Sequence, residues 1–380
     1  MRREIKLPLI FIQLAIGSVI LCDLINHVRA STSVVSDVKS KVNPFLWQVT
    51  SNETIKPSYL FGTIHVAYTR VWEYIPSIVK RKFRESDNIY FELDLLEPSV
   101  TIDMDLCRYL PDDKRLSDIL PHELYSRLVD HLKYTRTMMP IWLPSTERKY
   151  QDMNPYDLFR AKTFAWNRKH AIWTLLMIDS LTEQEIRSHG TSTLDLYLAQ
   201  EAQRLGKKTG AVENVEDQCE PLNNINLNQV IFALNMTLNR HESIRKGNAE
   251  STHAFEDLIE RYKNGNIDTL LSTQEQLPPT KDAAVTAQQI EEYWQEKFIK
   301  ERNQKMAKKI ISLLNDQSDE SFFFAFGVAH FLGDHSIIDL LRTAGYSVER
   351  VENARESNGR SNYREQNMQV NPKFVRNNNI

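Results

Sequence analysis

The stretch Leu60-Phe61-Gly62-Thr63-Ile64-His65-Val66 (LFGTIHV) has a counterpart far along the chain in Phe324-Ala325-Phe326-Gly327-Val328-Ala329-His330 (FAFGVAH). In both, an apolar run leads into Gly-x-x-His. Outward from the first histidine, the pattern predicts strands over residues 45–49 and 59–64, a helix over 75–85 and a strand over 89–95. Around the second, residues 321–326 read as a strand, 336–343 as a helix and 346–351 as a strand after the Gly345 stop. A unit of strand, Gly-x-x-His, helix and strand therefore occurs once near each end. Residues just past a parallel strand lie at the sheet edge where open α/β sheets form ligand sites. Two such units in one sheet would bring both histidines to one crevice.

The expected fold class is α/β, a mainly parallel central sheet flanked by helices, with a large helical insertion between the two units. Apolar residues at three- and four-residue spacing predict helices over 116–134, 155–181 and 194–205. The segment KKTGAVENV reads as a short strand ending near Glu213, residues 274–282 as a polar linker, and 285–314 as a long amphipathic helix.

Several residues in this frame point to chemistry. A lone histidine after a strand is more often a satisfied polar residue than a ligand, but the repetition favours metal binding by His65 and His330. Neutral imidazole is a good ligand when its second nitrogen is fixed by another partner. In Tyr90-Phe91-Glu92-Leu93-Asp94-Leu95, Glu92 and Asp94 share one strand face. Solvent exposure would explain them, yet a central parallel strand is covered on both faces, and buried carboxylates need partners such as a cation. Two histidines and a carboxylate leave coordination positions open for water. In the long helix the four-residue steps run Ile290, Trp294, Phe298, Arg302, Met306 and Ile310, so an arginine interrupts an apolar stripe. It either snorkels or makes a structural ion pair, or it stabilises developing negative charge at a site. Glu213 is a candidate partner for it.

Composition sets the outer limits. The chain has 380 residues, 41% hydrophobic and 26% charged, with a formal charge of -3, which gives no broad basic footprint for nucleic acid. A basic start, an apolar run from Leu7 to Cys22 and a small-x-small step before Ser31 read as a cleaved signal peptide over residues 1–30, an uncleaved anchor being the alternative. Residues 31–43 read as a leader, 44–351 as one catalytic domain, and 352–380 as a disordered polar tail. Without the signal, Cys107 and Cys219 remain, as one disulfide or as two buried thiols. Asn52 and Asn235 open N-glycosylation sequons. No HExxH, paired CxxC, Walker or dinucleotide fingerprint occurs; His335, five residues after His330, could bind metal but also fits a helix start, and His131, His170 and His189 have no partner pattern.

Beyond these residue readings, SYLFGTIHV, YFELDLL, LDLYLAQEAQRLGKKTGAVENVEDQCEPLN, QVIFALN, ERNQKMAKKI and FGVAHFLGDHSIIDLLRTAGYSVE occur in the order found in one family. The chain resembles the TIKI metalloproteases, animal relatives of the bacterial TraB and GumN-like proteins. The resemblance implies a divalent-metal peptidase supported by manganese or cobalt, acting outside the cell on the N-terminal region of Wnt proteins and so restraining Wnt signalling. It implies that His65, His330 and Glu92 are the motif metal residues, that Arg302 and Asn303 are the motif pair of the long helix, and that Glu213 is the carboxylate after the short strand. Glu213 or Asp94 would orient or deprotonate the water. The family carries a C-terminal membrane span that this sequence lacks, so either a released form or an incomplete sequence is expected. A non-catalytic Wnt- or metal-binding module, or a hydrolase of a non-peptide substrate, would fit the same residues.

Overall fold

The computed structural model describes residues 45–147, 153–247, 254–265 and 281–352. The expected signal peptide, the leader, the linker up to residue 280 and the tail from residue 353 lie outside them. One sheet has the order β4-β3-β5-β2-β1-β6. Its strands are β1 (Leu46–Thr50), β2 (Ser58–Thr63), β3 (Asn88–Phe91), β4 (Lys208–Ala211), β5 (Phe322–Gly327) and β6 (Ser347–Arg350). β5 pairs in parallel with β2 on one side and β3 on the other, β3 pairs in parallel with β4, and β1 runs antiparallel to both β2 and β6. β1 alone runs against the rest. The β5 run Phe322-Phe323-Phe324-Ala325-Phe326 is almost wholly buried, as a central parallel strand covered on both faces must be.

Ten helices matter here: α1 (Ser77–Glu85), α2 (Pro98–Leu106), α3 (His122–Trp142), α4 (Ala171–Asp179), α5 (Leu194–Arg204), α6 (Val215–Asn223), α7 (Leu227–Arg245), α8 (Lys281–Trp294), α9 (Glu301–Asp316) and α10 (Ile337–Thr343). Two apolar cores result. One surrounds the sheet and takes in Phe61, Phe91, Met306, Ile310 and the β5 phenylalanines. The other fills the helical insertion and takes in Leu93, Leu95, Trp173, Leu234, Trp294 and Phe298. The residues on either side of Glu92 divide between them, Phe91 at the end of β3 to the first and Leu93 to the second. Glu92 thus stands at their seam.

The structure departs from the sequence reading in two places in the sheet and in three of the helices. The two histidine units are not equivalent: β5 inserts between β2 and β3, while β6 joins the far side of β1 instead of lying beside β5. The expected strand over 89–95 stops at Phe91. Beyond it the Asp94 carboxylate accepts the Leu96 N–H at 3.2 Å, a local side-chain turn that competes with the ladder. The expected helix over 155–181 is broken into Pro155–Lys162, a 3-10 turn at Trp166–Arg168 and α4. Ala165 has φ 48°, and an antiparallel bridge between Tyr109 and Lys169 overrides local helix preference. The expected helix over 116–134 is interrupted before Pro121, where Leu120 is extended at φ -91°, ψ 147°, the conformation favoured before proline. The long helix does run on, but a π-helical segment, Gln295–Lys300, separates α8 from α9. Among the described residues no helix is long and apolar enough to cross a membrane.

Cys107, just past α2, is bonded to Cys219 in α6, with Cα atoms 6.2 Å apart and 112 residues of sequence separation. The bridge ties the segment that follows Glu92 to the helix that follows Glu213. Restricting so long a loop in the unfolded chain is worth at most about 4–5 kcal/mol in the chain-entropy account. A doubly substituted C107S/C219S protein should therefore unfold at a clearly lower denaturant midpoint than the oxidised wild type. Equal midpoints, or two freely alkylated thiols in the native protein, would contradict the structural role.

Candidate metal centre

The parallel register sets Thr63 of β2 opposite Gly327 of β5, and Phe91 of β3 opposite Ala325. The three chains leave these adjacent strands at the same edge of the sheet, and the next residues carry His65, Glu92 and His330. His65 follows β2 by two residues, His330 lies in a 3-10 turn (Val328–Phe331), and Glu92 directly follows β3. The Nε2 atoms of His65 and His330 lie 4.0 and 3.8 Å from the same Glu92 Oε1. The two motif glycines are needed for this approach. A Cβ on Gly62 would stand 2.8 Å from Val328 Cγ2, and one on Gly327 would stand 3.1 Å from Glu92 Oε1. With no side chain there, the Gly327 N–H donates to Glu92 Oε1 at 2.7 Å.

Each imidazole is held by its other nitrogen. Asn303 Nδ2 faces the carbonyls of His335 and His330, at 2.9 and 3.4 Å. The Asn303 oxygen is thereby turned toward His330 Nδ1, at 2.6 Å. His330 Nδ1 must then carry the proton, which leaves the Nε2 lone pair directed at Glu92. Burial, then the nearby Arg302 charge, lowers the His330 pKa to about 3, so the ring is neutral. His65 Nδ1 meets Asp195 Oδ2 at 2.7 Å, but off the N–H axis, so the contact is an ion pair and not an aligned hydrogen bond. Burial alone would lower the His65 pKa; the Asp195 and Glu92 carboxylates outweigh it and raise it to about 9. A cation bound at Nε2 must therefore expel a proton from His65.

Glu92 and Glu213 share one guanidinium. Arg302 donates from Nε to Glu213 Oε1 and from Nη2 to Glu213 Oε2, both at 2.7 Å, and from Nη2 to Glu92 Oε2 at 3.0 Å. Gln218 Nε2 bridges the same two carboxylates at 3.1 Å. Burial pushes the Glu92 carboxyl up, but Arg302 and the two histidines more than offset this and hold it well below the usual range. Glu213 goes the other way: burial raises it against the pull of Arg302. A π-helical turn, Gln295–Lys300, directly precedes the helix that carries Arg302, a device common at functional sites.

The donor set fits a divalent cation. It offers a neutral imidazole, a second imidazole held by a carboxylate, and an ionised carboxylate with a lone pair turned to both, the kind of set that open metal sites use. In a tetrahedral site with bonds near 2.1 Å, neighbouring donors stand about 3.4 Å apart, so binding draws these groups slightly inward. As the side chains stand, no group of three or more His, Cys, Asp or Glu among the described residues could hold a metal ion without such movement. Beside the pair, a recess of about 20 Å³ is lined by His65, Glu92, Asp195, Gln218 and apolar neighbours, enough for about one water molecule.

The structure gathers His65, Glu92, His330, Arg302, Glu213 and Asn303. Asp94 is elsewhere: its Oδ2 accepts from Thr209 Oγ1 at 3.1 Å, and neither it nor Glu213 lines the recess. Asn52 is exposed in the β1–β2 turn, whereas Asn235 in α7 accepts a hydrogen bond from Arg127 at 2.5 Å and its sequon Thr237 is buried. The sequence reading missed Asp195 and Gln218. Asp195 was accessible to it, because it shares the buried face of α5 with Leu198, Ala199 and Ala202, a charged interruption like Arg302.

Fold and site together define an α/β protein with a histidine, histidine, glutamate and arginine centre at the carboxyl edge of a mainly parallel sheet. The chain matches the sequence model of the TraB/PrgY/gumN family over residues 45–350, and it belongs to that family. It is similar to metalloprotease TIKI2 of Danio rerio, at 48% identity over 82% of this chain and 61% of that protein. It is also similar to metalloprotease TIKI1 of Danio rerio, at 44% over 86% and 67%, and to metalloprotease TIKI1 of Homo sapiens, at 43% over 82% and 63%. The chain thus spans about three fifths of the length of the first two relatives it matches, 61% and 60%. No solved structure matches it.

Substitutions separate the roles. His330→Ala and Glu92→Gln should each abolish divalent-cation binding in calorimetry, and Asn303→Ala should weaken it roughly 10–100-fold by freeing the His330 ring. His335→Ala should leave binding unchanged. Arg302→Leu should cost about 3–5 kcal/mol of folding stability, since it strands two buried carboxylates.

Proposed function

We propose that this protein is a divalent-metal-dependent peptidase that acts outside the cell on the N-terminal region of Wnt proteins, with manganese or cobalt as its metal. One observation carries the chemistry: two imidazole Nε2 atoms stand within 4.0 Å of one carboxylate oxygen, beside a buried guanidinium. Membership of the family and likeness to the TIKI metalloproteases support the reaction class. The Wnt substrate, the extracellular location and the preferred metals rest on the resemblance to TIKI proteins and on the signal-like N terminus.

In this reading His65, His330 and Glu92 hold the cation, with Asp195 and Asn303 as positioning residues for the two rings. The cation, when bound, supplies Lewis acidity that lowers the pKa of water and polarises a carbonyl. The recess between His65 and Gln218 places that water. Arg302 has Nε and Nη2 committed to carboxylates, while Nη1 has only the Phe298 carbonyl at 3.4 Å. Arg302, which does not itself line the recess, would act on a developing oxyanion through its charge, with Nη1 as the nitrogen that has no carboxylate partner. Glu213 acts as a positioning residue that aims Arg302, since it is closed off from the recess. Asp94 has a structural part and takes none in the reaction.

Protein recovered from culture medium, carrying a glycan at Asn52 and none at Asn235, should shorten the N terminus of a Wnt protein in the presence of manganese. Chelation should stop this, and Arg302→Lys should keep the metal yet lower kcat by about 10²–10³-fold. Mass spectrometry reads each outcome. A Wnt left intact by metal-loaded protein would defeat the assignment of substrate, and cleavage that survives chelation would defeat that of metal.

A further inference from the structure

A second concavity adjoins the site. It encloses about 490 Å³ between residues 211–214, at the end of edge strand β4, and Lys305, Lys308 and Lys309 of α9, with Asp217 on its wall. Its charge is one-sided. Glu213 turns inward onto Arg302 with its side chain fully buried. Asp217 is matched by Lys305, 2.5 Å away. Lys308 and Lys309 are exposed and make no ion pair with a described residue. The groove therefore presents two uncompensated ammonium groups, in a volume suited to a few residues of a ligand.

Its placement says what the groove receives. Arg302, Lys305 and Lys309 follow one another at helical spacing on a single face of α9, so the basic wall starts at the reacting centre and recedes from it. At 1.5 Å per residue, Lys309 lies about 10 Å from Arg302 along the helix. An extended chain covers that distance in roughly three residues. We propose that this groove holds an acidic segment of the polypeptide substrate, with its carboxylates about two to four residues from the scissile bond. A polyanionic glycan would also satisfy lysines, but continuity with Glu213 and Arg302 favours the chain being cut. This inference rests on the peptidase reading, and failure of the one gives a different result from failure of the other.

The probe is a fluorescein-labelled peptide with four aspartates, compared by anisotropy with the same peptide carrying asparagines. Binding is measured first on chelator-treated protein, so that no turnover is required. The wild type should prefer the aspartate peptide roughly tenfold at low salt, an advantage that shrinks at high salt. K308A/K309A should lose the preference while retaining manganese affinity and kcat, and its KM for the acidic peptide should rise without a change for the neutral one. Equal binding of the two peptides by the wild type, or a preference that survives in K308A/K309A, overturns the proposal. So does a heparin oligosaccharide that binds in a lysine-dependent way while the peptides are not distinguished. Intact acidic preference with no cleavage of any peptide would instead remove the peptidase reading, and with it the occupant proposed here.

Discussion

The Glu92 carboxylate is the group on which the rest of the site depends. One oxygen takes the Gly327 N–H and faces both histidines, and the other takes Arg302 and Gln218. Four separate stretches of chain meet on it. A carboxylate with only 13% of its side chain exposed is held as an anion by such company, because desolvation works toward protonating it. The cost of burying it is carried by charge pairing within the site, so losing any one partner would disturb the others.

That carboxylate lies where the sheet core and the helical core meet. Phe91 and Leu93 flank Glu92, one in each core, and Arg302 lies between Phe298 of one and Met306 of the other. Packing is apolar on both sides of the seam, so the charges are confined to it. The disulfide from Cys107 to Cys219 crosses the same region and limits how far the segments after β3 and β4 can separate. The low dielectric of these walls strengthens every contact in the seam, and it would do the same for a charge that develops during reaction.

Much of this was legible in the residues. Repeated Gly-x-x-His after apolar runs located both imidazoles, and the arginine interrupting an apolar stripe located Arg302. Glu92 was found by a partly mistaken route: it was expected inside a strand, whereas the strand ends one residue earlier and frees it to face the histidines. Strand order was not legible, because local pattern says nothing about which strands pair. Hence the insertion of β5 between β2 and β3, which brings the two histidines together, and the placement of β6 beyond β1 emerged only in three dimensions. The break at Ala165 had no sequence signal either, since a distant pairing with residues 108–110 imposes it. Asp195 shows the converse: its place on the buried face of α5 was a readable signal, yet the sequence reading passed over it.

The central claim is that His65, Glu92 and His330 together hold one divalent cation. Anomalous diffraction from crystals grown with manganese tests it most directly, because the signal locates the ion without reference to activity. The account predicts a single strong peak about 2.1–2.3 Å from both Nε2 atoms and from Glu92 Oε1, with Asn303 still on His330 Nδ1 and Asp195 on His65 Nδ1. A peak at any other cluster of side chains, or none at a manganese concentration that saturates binding in solution, would contradict it.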